Sequence, residues 1–213
     1  MLLRGHTHAF GQGLIFPHPA KVTDPGGLDV FRALGLPVWD RFLALSSIDP
    51  SALLGPLAWI ENLSGDSTRV AIGAHCALRG LIRVEPTGSL VIGRHCYVGD
   101  DTLISVNTSV TIGNDVAIAH GVQIFDNTSH PIDWQERQKH TRGILTGSGS
   151  DARFPGRPVV IGDNVWLGTN CLVRAGVTIG ARAIVSALAL VTEDVPADVI
   201  VAGNPAQVVK RLA

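Results

Sequence analysis

The sequence predicts an all-β protein built as a coil of short parallel strands, about five turns long. Three observations carry this. An aliphatic residue recurs every six positions through two long stretches. Val and Ile, 23 and 16 in number, concentrate in the same stretches. The chain's 24 Gly and 12 Pro interrupt it too often for long helices. A six-residue period is foreign to the α-helix, whose apolar stripe recurs at 3.6. It suits strands of a few residues joined by tight corners, with two side chains of each hexad turned inward.

The elements follow in order. Residues 1–63 contain 6 Val and Ile, 64–127 contain 15, 128–157 contain 2 and 158–201 contain 14. Two β-rich blocks therefore flank a polar insert, behind an N-terminal segment of different character. That segment has two helix-like stretches, 28–34 and 38–45, separated by Gly35 and Pro37. Pro17, Pro19, Pro25, Gly26 and Gly27 break anything longer. The expected organisation is a partly helical cap over 1–63, the coil over 64–196 with a long loop at 125–158, and a tail over 197–213.

Within the coil the anchors fall at Ile72, Leu78 and Val84, at Ile92, Val98 and Ile104, and at Ile112, Ile118 and Ile124. After the insert they fall at Ile161, Leu167 and Val173, then at Ile179, Val185 and Val191. Four positions after an anchor the residue is small or β-branched, as at Cys76, Cys96, Val116, Cys171 and Ala183. Steps inside a coil are 6; those between coils are 8, 8, 37 and 6. All surplus residues thus sit at one corner of a three-sided prism, and the long insert leaves there. An insert of that length in a compact domain is more often functional than not.

Composition excludes several classes. With 17 basic and 18 acidic residues, there is no global field to draw nucleic acid or an anionic membrane. No apolar run approaches the ~20 residues of a membrane-spanning helix. Met1-Leu-Leu-Arg-Gly-His-Thr-His8 lacks a signal-peptide core, so the expected location is cytoplasmic. Three Cys are too few and odd in number for a disulfide framework. His75-Cys76 and His95-Cys96 suggest zinc, but all three Cys occupy the inward small position, where Cys acts as a small hydrophobe. No metal is expected. His75 and His95 should then stack outward, one coil apart. Gly147-Ser-Gly-Ser150 has no following Lys and reads as loop rather than a phosphate cradle.

Chemistry concentrates at the insert. His130 lies six residues past Ile124, and Pro131 restricts the chain after it. Neutral imidazole is suited to general-base work near neutral pH. Asp126 and Asp133 are both candidates to orient it, and both are also turn formers. Asn107 and Asn127 each lie three residues past an anchor, so they stack about 5 Å apart beneath the loop. Asn107 is either a polar contact for a substrate or a turn residue. Trp166 precedes an anchor and should point out of the prism, a candidate binding surface.

The aliphatic-Gly-x-x-small-x repeat resembles the hexapeptide-repeat acyltransferases. Gly121-Val-Gln-Ile-Phe-Asp126-Asn127-Thr-Ser-His130-Pro131-Ile-Asp133 looks like the catalytic loop of their maltose, galactoside and nodulation O-acetyltransferase branch. Pro158-Val-Val-Ile-Gly-Asp-Asn-Val-Trp166-Leu-Gly168 and Val201-Ala-Gly-Asn-Pro-Ala-Gln-Val-Val-Lys210-Arg211-Leu212 match the following coil and the C-terminal segment. The resemblance covers roughly 68–212. It implies a left-handed β-helix with a short C-terminal helix, acetyl-CoA as donor, a sugar or saccharide hydroxyl as acceptor, and a homotrimer with sites between subunits. It makes His130 the base and puts polar acceptor contacts near Asn107. Trp166, Gly168 and Thr169 belong to the donor site, with the Thr169 amide facing the oxyanion. Ser186, Ala187 and Thr192 line the pantetheine groove, and Lys210 and Arg211 lie near the nucleotide phosphates. Thr192-Glu193-Asp194 departs from the family's Thr-Lys-Asp and removes a phosphate contact.

Three alternatives stand beside this reading. One is N-acetylation of an amino-sugar nucleotide. Another is a zinc enzyme like the γ-carbonic anhydrases, whose His-x4-His pair is missing because Phe125 stands five residues after His120. The third is a non-catalytic β-helical scaffold, which would have no use for His130-Pro131 in the insert.

Overall fold

Three columns of aliphatic side chains run the length of the molecule. The computed structural model describes residues 16–17, 28–148 and 156–212, with side chains over 37–148 and 156–212. The breakers Pro19, Pro25, Gly26 and Gly27 lie outside the described residues, as do the last two residues of the Gly147–Ser150 stretch.

The first column is Ile48, Ile72, Ile92, Ile112, Ile161 and Ile179, paired in parallel register. The second is Leu54, Leu78, Val98, Ile118, Leu167, Val185 and Val201. The third is Ile60, Ile82, Ile104, Ile124, Val173 and Val191. All are buried and form one continuous core. Each column belongs to its own sheet, and successive strands visit the three sheets in rotation. Alternation of inward and outward residues along each short strand leaves the neighbouring side chain facing out.

The coil starts earlier than the repeat suggests. Ser47–Ile48, Leu53–Leu54 and Trp59–Asn62 form a complete turn inside the segment expected to be a cap. In the next turn Ile82, not Val84, is the third-column residue. Its strand Leu81–Val84 follows Ala77–Leu78 after a corner of only two residues, so Ile82 pairs with Ile104 and Val84 with Val106. The 28–45 region is one helix, α1 (Leu28–Leu45), with Pro37 inside it rather than between two helices. Trp39 and Phe42 of α1 are fully buried. The Asn62 side-chain amide donates to the Leu45 carbonyl at the helix end, 2.9 Å. The expected C-terminal helix is instead a hairpin, Val199–Gly203 and Ala206–Arg211, turning at the cis Asn204-Pro205 bond. Its inward Val199 and Val201 complete the core, which alternating strand residues can do and a helix there would not.

Corners between the first and second sheets place His75, His95, Asp115, Asn164, Arg182 and Asp198 at successive left-handed positions, φ 57–61°. Their side chains therefore form an outward ladder. His75 and His95 stack with ring centroids 5.2 Å apart, as the register predicts. Cys76, Cys96 and Cys171 are buried, the inward placement that the repeat assigns them. The Cys76 and Cys96 thiols donate to the carbonyls of Gly93 and Gly113, at 3.0 and 3.1 Å. The insert leaves at the corner between the third and first sheets, shared with the turns after Leu81–Val84 and Leu103–Val106.

Candidate active site

After the strand Gln123–Phe125 the chain does not turn into the first sheet but leaves the prism. Asp126 and Asn127, both buried, make the exit. The Asp126 carboxylate accepts the backbone N–H groups of Asn107 (2.7 Å) and Thr108 (2.6 Å) and the Asn127 side-chain amide (2.9 Å). Its carbonyl accepts the Arg157 N–H at 2.7 Å, so the insert departs and returns at one residue. The Asn127 Oδ1 accepts the Ser129 N–H at 2.8 Å, and Ser129 sits in the left-handed region, φ 60°. The His130 N–H donates to the Thr128 carbonyl (2.7 Å), and the Thr128 hydroxyl donates back to the His130 carbonyl (2.9 Å). The main chain at His130 is thereby fixed, while its side chain is exposed.

A helix follows within the insert, α2 (Trp134–Thr146). Asp133 is its N-cap, with Oδ1 accepting the Gln135 and Glu136 N–H groups at 3.0 Å. Gly147 ends it in the left-handed conformation, φ 69°. The Arg137 guanidinium donates to the Pro131 and Ile132 carbonyls, at 3.1 and 2.7 Å. The His140 ring, buried, lies 5.1 Å from the His130 ring at an interplanar angle of 68°.

The expected site residues fall into separate groups. His130 and Asn107 share the insertion corner, linked through Asp126 and Asn127. Of the two expected orienting carboxylates, Asp126 accepts from the coil below and Oδ1 of Asp133 accepts from the helix cap. Trp166, 52% exposed, stands on the outer side of the second sheet between Ala117 and Ile184. Gly168 and Thr169 follow at the corner into the third sheet, and Ser186 and Ala187 stack on them one coil on. The Gly168 N–H donates to the Val185 carbonyl (2.7 Å) and the Leu188 N–H to the Thr169 carbonyl (2.9 Å). A Cβ on Gly168 would stand 2.6 Å from the Ala187 nitrogen, so the coils can approach this closely only at glycine. Thr192 follows Val191 at the insertion corner, two coils beyond the base of the insert. Lys210 and Arg211 are exposed on the last strand of the hairpin. Within one chain, then, His130 and the Thr169 turn occupy different corners.

Two features escaped the sequence reading. One is α2 with His140, although Asp133 and Glu136 have the spacing of a helix cap. The other is a polar cluster at the same corner as Thr169, one to three rungs before it. There the Arg79 Nε donates to both Asp100 carboxylate oxygens at 2.9 Å, and the Asp100 N–H donates to the His120 Nδ1 at 3.2 Å.

Residues 158–193 match the family described as bacterial transferase hexapeptide (six repeats). Galactoside O-acetyltransferase of Escherichia coli K12 is 34% identical over 121 residues, 57% of this chain and 53% of that one. The chain thus spans about half the length of that relative. WcaF of the same organism, which carries the name of a colanic acid biosynthesis acetyltransferase, is 31% identical over 192 residues, 88% of this chain and 92% of its own. The chain belongs to the hexapeptide-repeat acyltransferases. Among solved structures, a maltose O-acetyltransferase from Clostridium difficile 630 is similar at TM-score 0.52 and 25% identity, over 82% of this chain and 74% of that one. The fold of this hexapeptide-repeat protein is accordingly the left-handed parallel β-helix.

Proposed function

We propose that this hexapeptide-repeat protein transfers an acetyl group from acetyl-CoA to a hydroxyl of a sugar or saccharide. The observation that carries the reading is His130: an exposed imidazole on a clamped main chain, in the His-Pro setting that resembles the O-acetyltransferase branch. His130 takes the proton of the acceptor hydroxyl as its oxygen attacks the thioester carbonyl. The resulting oxyanion is held by the backbone N–H of Thr169. Collapse breaks the carbon–sulfur bond, and the thiolate takes the proton from the imidazolium. The products are the acetyl ester and free coenzyme A.

The donor lies along Trp166, Gly168, Thr169, Ser186, Ala187 and Thr192, with Lys210 and Arg211 toward its phosphates. Asn107 contributes to the acceptor side. The separation of His130 from the Thr169 turn within one chain supports sites formed between copies, and a cyclic homotrimer suits a three-sided prism. Among the described residues no helix is long and apolar enough to cross a membrane. The working location in this reading is the cytoplasm, where acetyl-CoA is available.

The test is acetyl transfer from acetyl-CoA to a panel of galactosides, maltose and amino-sugar nucleotides, with products identified by mass. Ester formation that is lost in His130→Ala supports the reading. Amide products alone, or turnover unaffected by the substitution, overturn it. Light scattering of the purified protein measures the trimer independently.

A further inference from the structure

α2 turns a polar residue toward the rest of its own chain. Its buried residues are His140 and Gly143. Trp134, Ile144 and Leu145 are left 62%, 57% and 79% exposed. The helix thus turns an imidazole inward and its Trp and Leu outward. What this orientation does provide is a specific ring pair: His140 and His130 meet edge to face, 5.1 Å apart at 68°. Hydrogen bonds to Thr128, with Asn127 holding Ser129, already fix the His130 main chain, so the freedom left to it is in its side-chain torsions. The first turn of α2 is tied to the residues that follow His130 by the Asp133 cap and by Arg137 on the Pro131 and Ile132 carbonyls.

We propose that His140 is a positioning residue for His130: its buried ring, carried on α2, sets the direction of the exposed imidazole. The inference rests on the reading of His130 as the base. A general base contributes only while it stays within hydrogen-bond reach of the proton it takes, so a wandering ring lowers kcat without touching donor binding. This also accounts for a helix in the insert whose cap and whose buried side chain are both polar.

The experiment is a double-mutant cycle on the full-length protein. His140→Ala should lower kcat by about 10–50-fold, a fraction of the loss expected for the base itself. The KM for acetyl-CoA should stay unchanged. His140→Gln, polar but without a ring, should lose as much. His140→Phe, which keeps the edge-to-face contact, should recover kcat to within about threefold. In the His130→Ala background, His140→Ala should leave the residual rate unchanged, because its effect passes through His130. A merely structural role would lower that residual rate as well, and this result would overturn the proposal. So would kcat within twofold of wild type for His140→Ala, or a His140→Phe protein as slow as His140→Gln. If His140→Ala fails to fold, the Gln and Phe variants decide the matter. An undiminished rate in His130→Ala alone would remove the base reading itself, an outcome distinct from failure of the His140 proposal.

Discussion

Asp126 receives the backbone N–H groups of Asn107 and Thr108 on its carboxylate and the Arg157 N–H on its carbonyl. One residue thus ties the coil below to both ends of the insert. Asp126→Ala leaves two N–H groups of the Asn107–Thr108 turn without their acceptor. Each such loss costs about 1–3 kcal/mol. The variant should unfold at lower urea, and its turnover should fall further than its stability explains, since the base of the His130 loop moves with it. Urea titration and initial rates on the same sample check both parts.

His130→Ala should lower kcat by about 10²–10⁴-fold, the usual worth of a positioned general base. Acetyl-CoA affinity should hold, because the proposed donor contacts are on other coils. Folding should also hold, because the insert supplies no residue to the three core columns. Steady-state kinetics and acetyl-CoA titration of both proteins measure these outcomes.

Burial pushes the Cys171 thiol up to about 12, from an ordinary value of 9.0. A group whose pKa is raised by folding stabilises fully below the unfolded value and loses that contribution as pH rises toward the folded one. The stability advantage of wild type over Cys171→Ala should therefore be constant at pH 7–8 and shrink between pH 9 and 12. Denaturation midpoints of the two proteins across that range report the difference. Alkylating reagents at pH 8 should leave Cys171 unmodified until the protein unfolds.

Leu188 holds a left-handed conformation, φ 62°, with its side chain 73% exposed. Its backbone is strained, and burial of its apolar surface does not offset the cost. Leu188→Gly should stabilise the protein by about 0.5–1 kcal/mol, the relief of strain outweighing the added freedom of the unfolded chain. Thermal unfolding in paired samples tests the sign. A lower midpoint would mean that Leu188 makes contacts that compensate for its conformation.

The columns were legible because the hexad spacing survives from Ile92 to Val191 with only corner insertions. Val84 misled because it is itself fully buried: the strand Leu81–Val84 turns two residues inward, and alternation cannot tell which one stacks on Ile104. The first turn was hidden although Ile48, Leu54 and Ile60 keep the spacing, because Asp49-Pro50 replaces the usual Gly after the anchor. α2 carries no inward apolar stripe, so periodicity could not reveal it, and with it went His140. The hairpin at the C-terminus had a signal in Asn204-Pro205, a turn dipeptide that the family resemblance overrode. Of the candidate site, the place of His130 at the insertion corner was legible from its spacing past Ile124. The engagement of Asp126 and Asp133 was not, since it depends on which backbone amides the fold brings to them.

The two ends of the prism differ in how they stop the stack. A parallel coil offers unpaired N–H and C=O groups at each terminus, and such edges invite another chain to continue the sheet. At the start, α1 packs on the first turn with Trp39 and Phe42 buried, and the strand Phe16–Pro17 pairs antiparallel with Leu53–Leu54 at the edge of the second sheet. At the finish, the second sheet ends on an exposed strand bearing Lys210 and Arg211, and charges on an edge strand repel an incoming copy. The same residues that in this reading greet an anionic donor would also oppose the addition of another copy's strand to the second sheet.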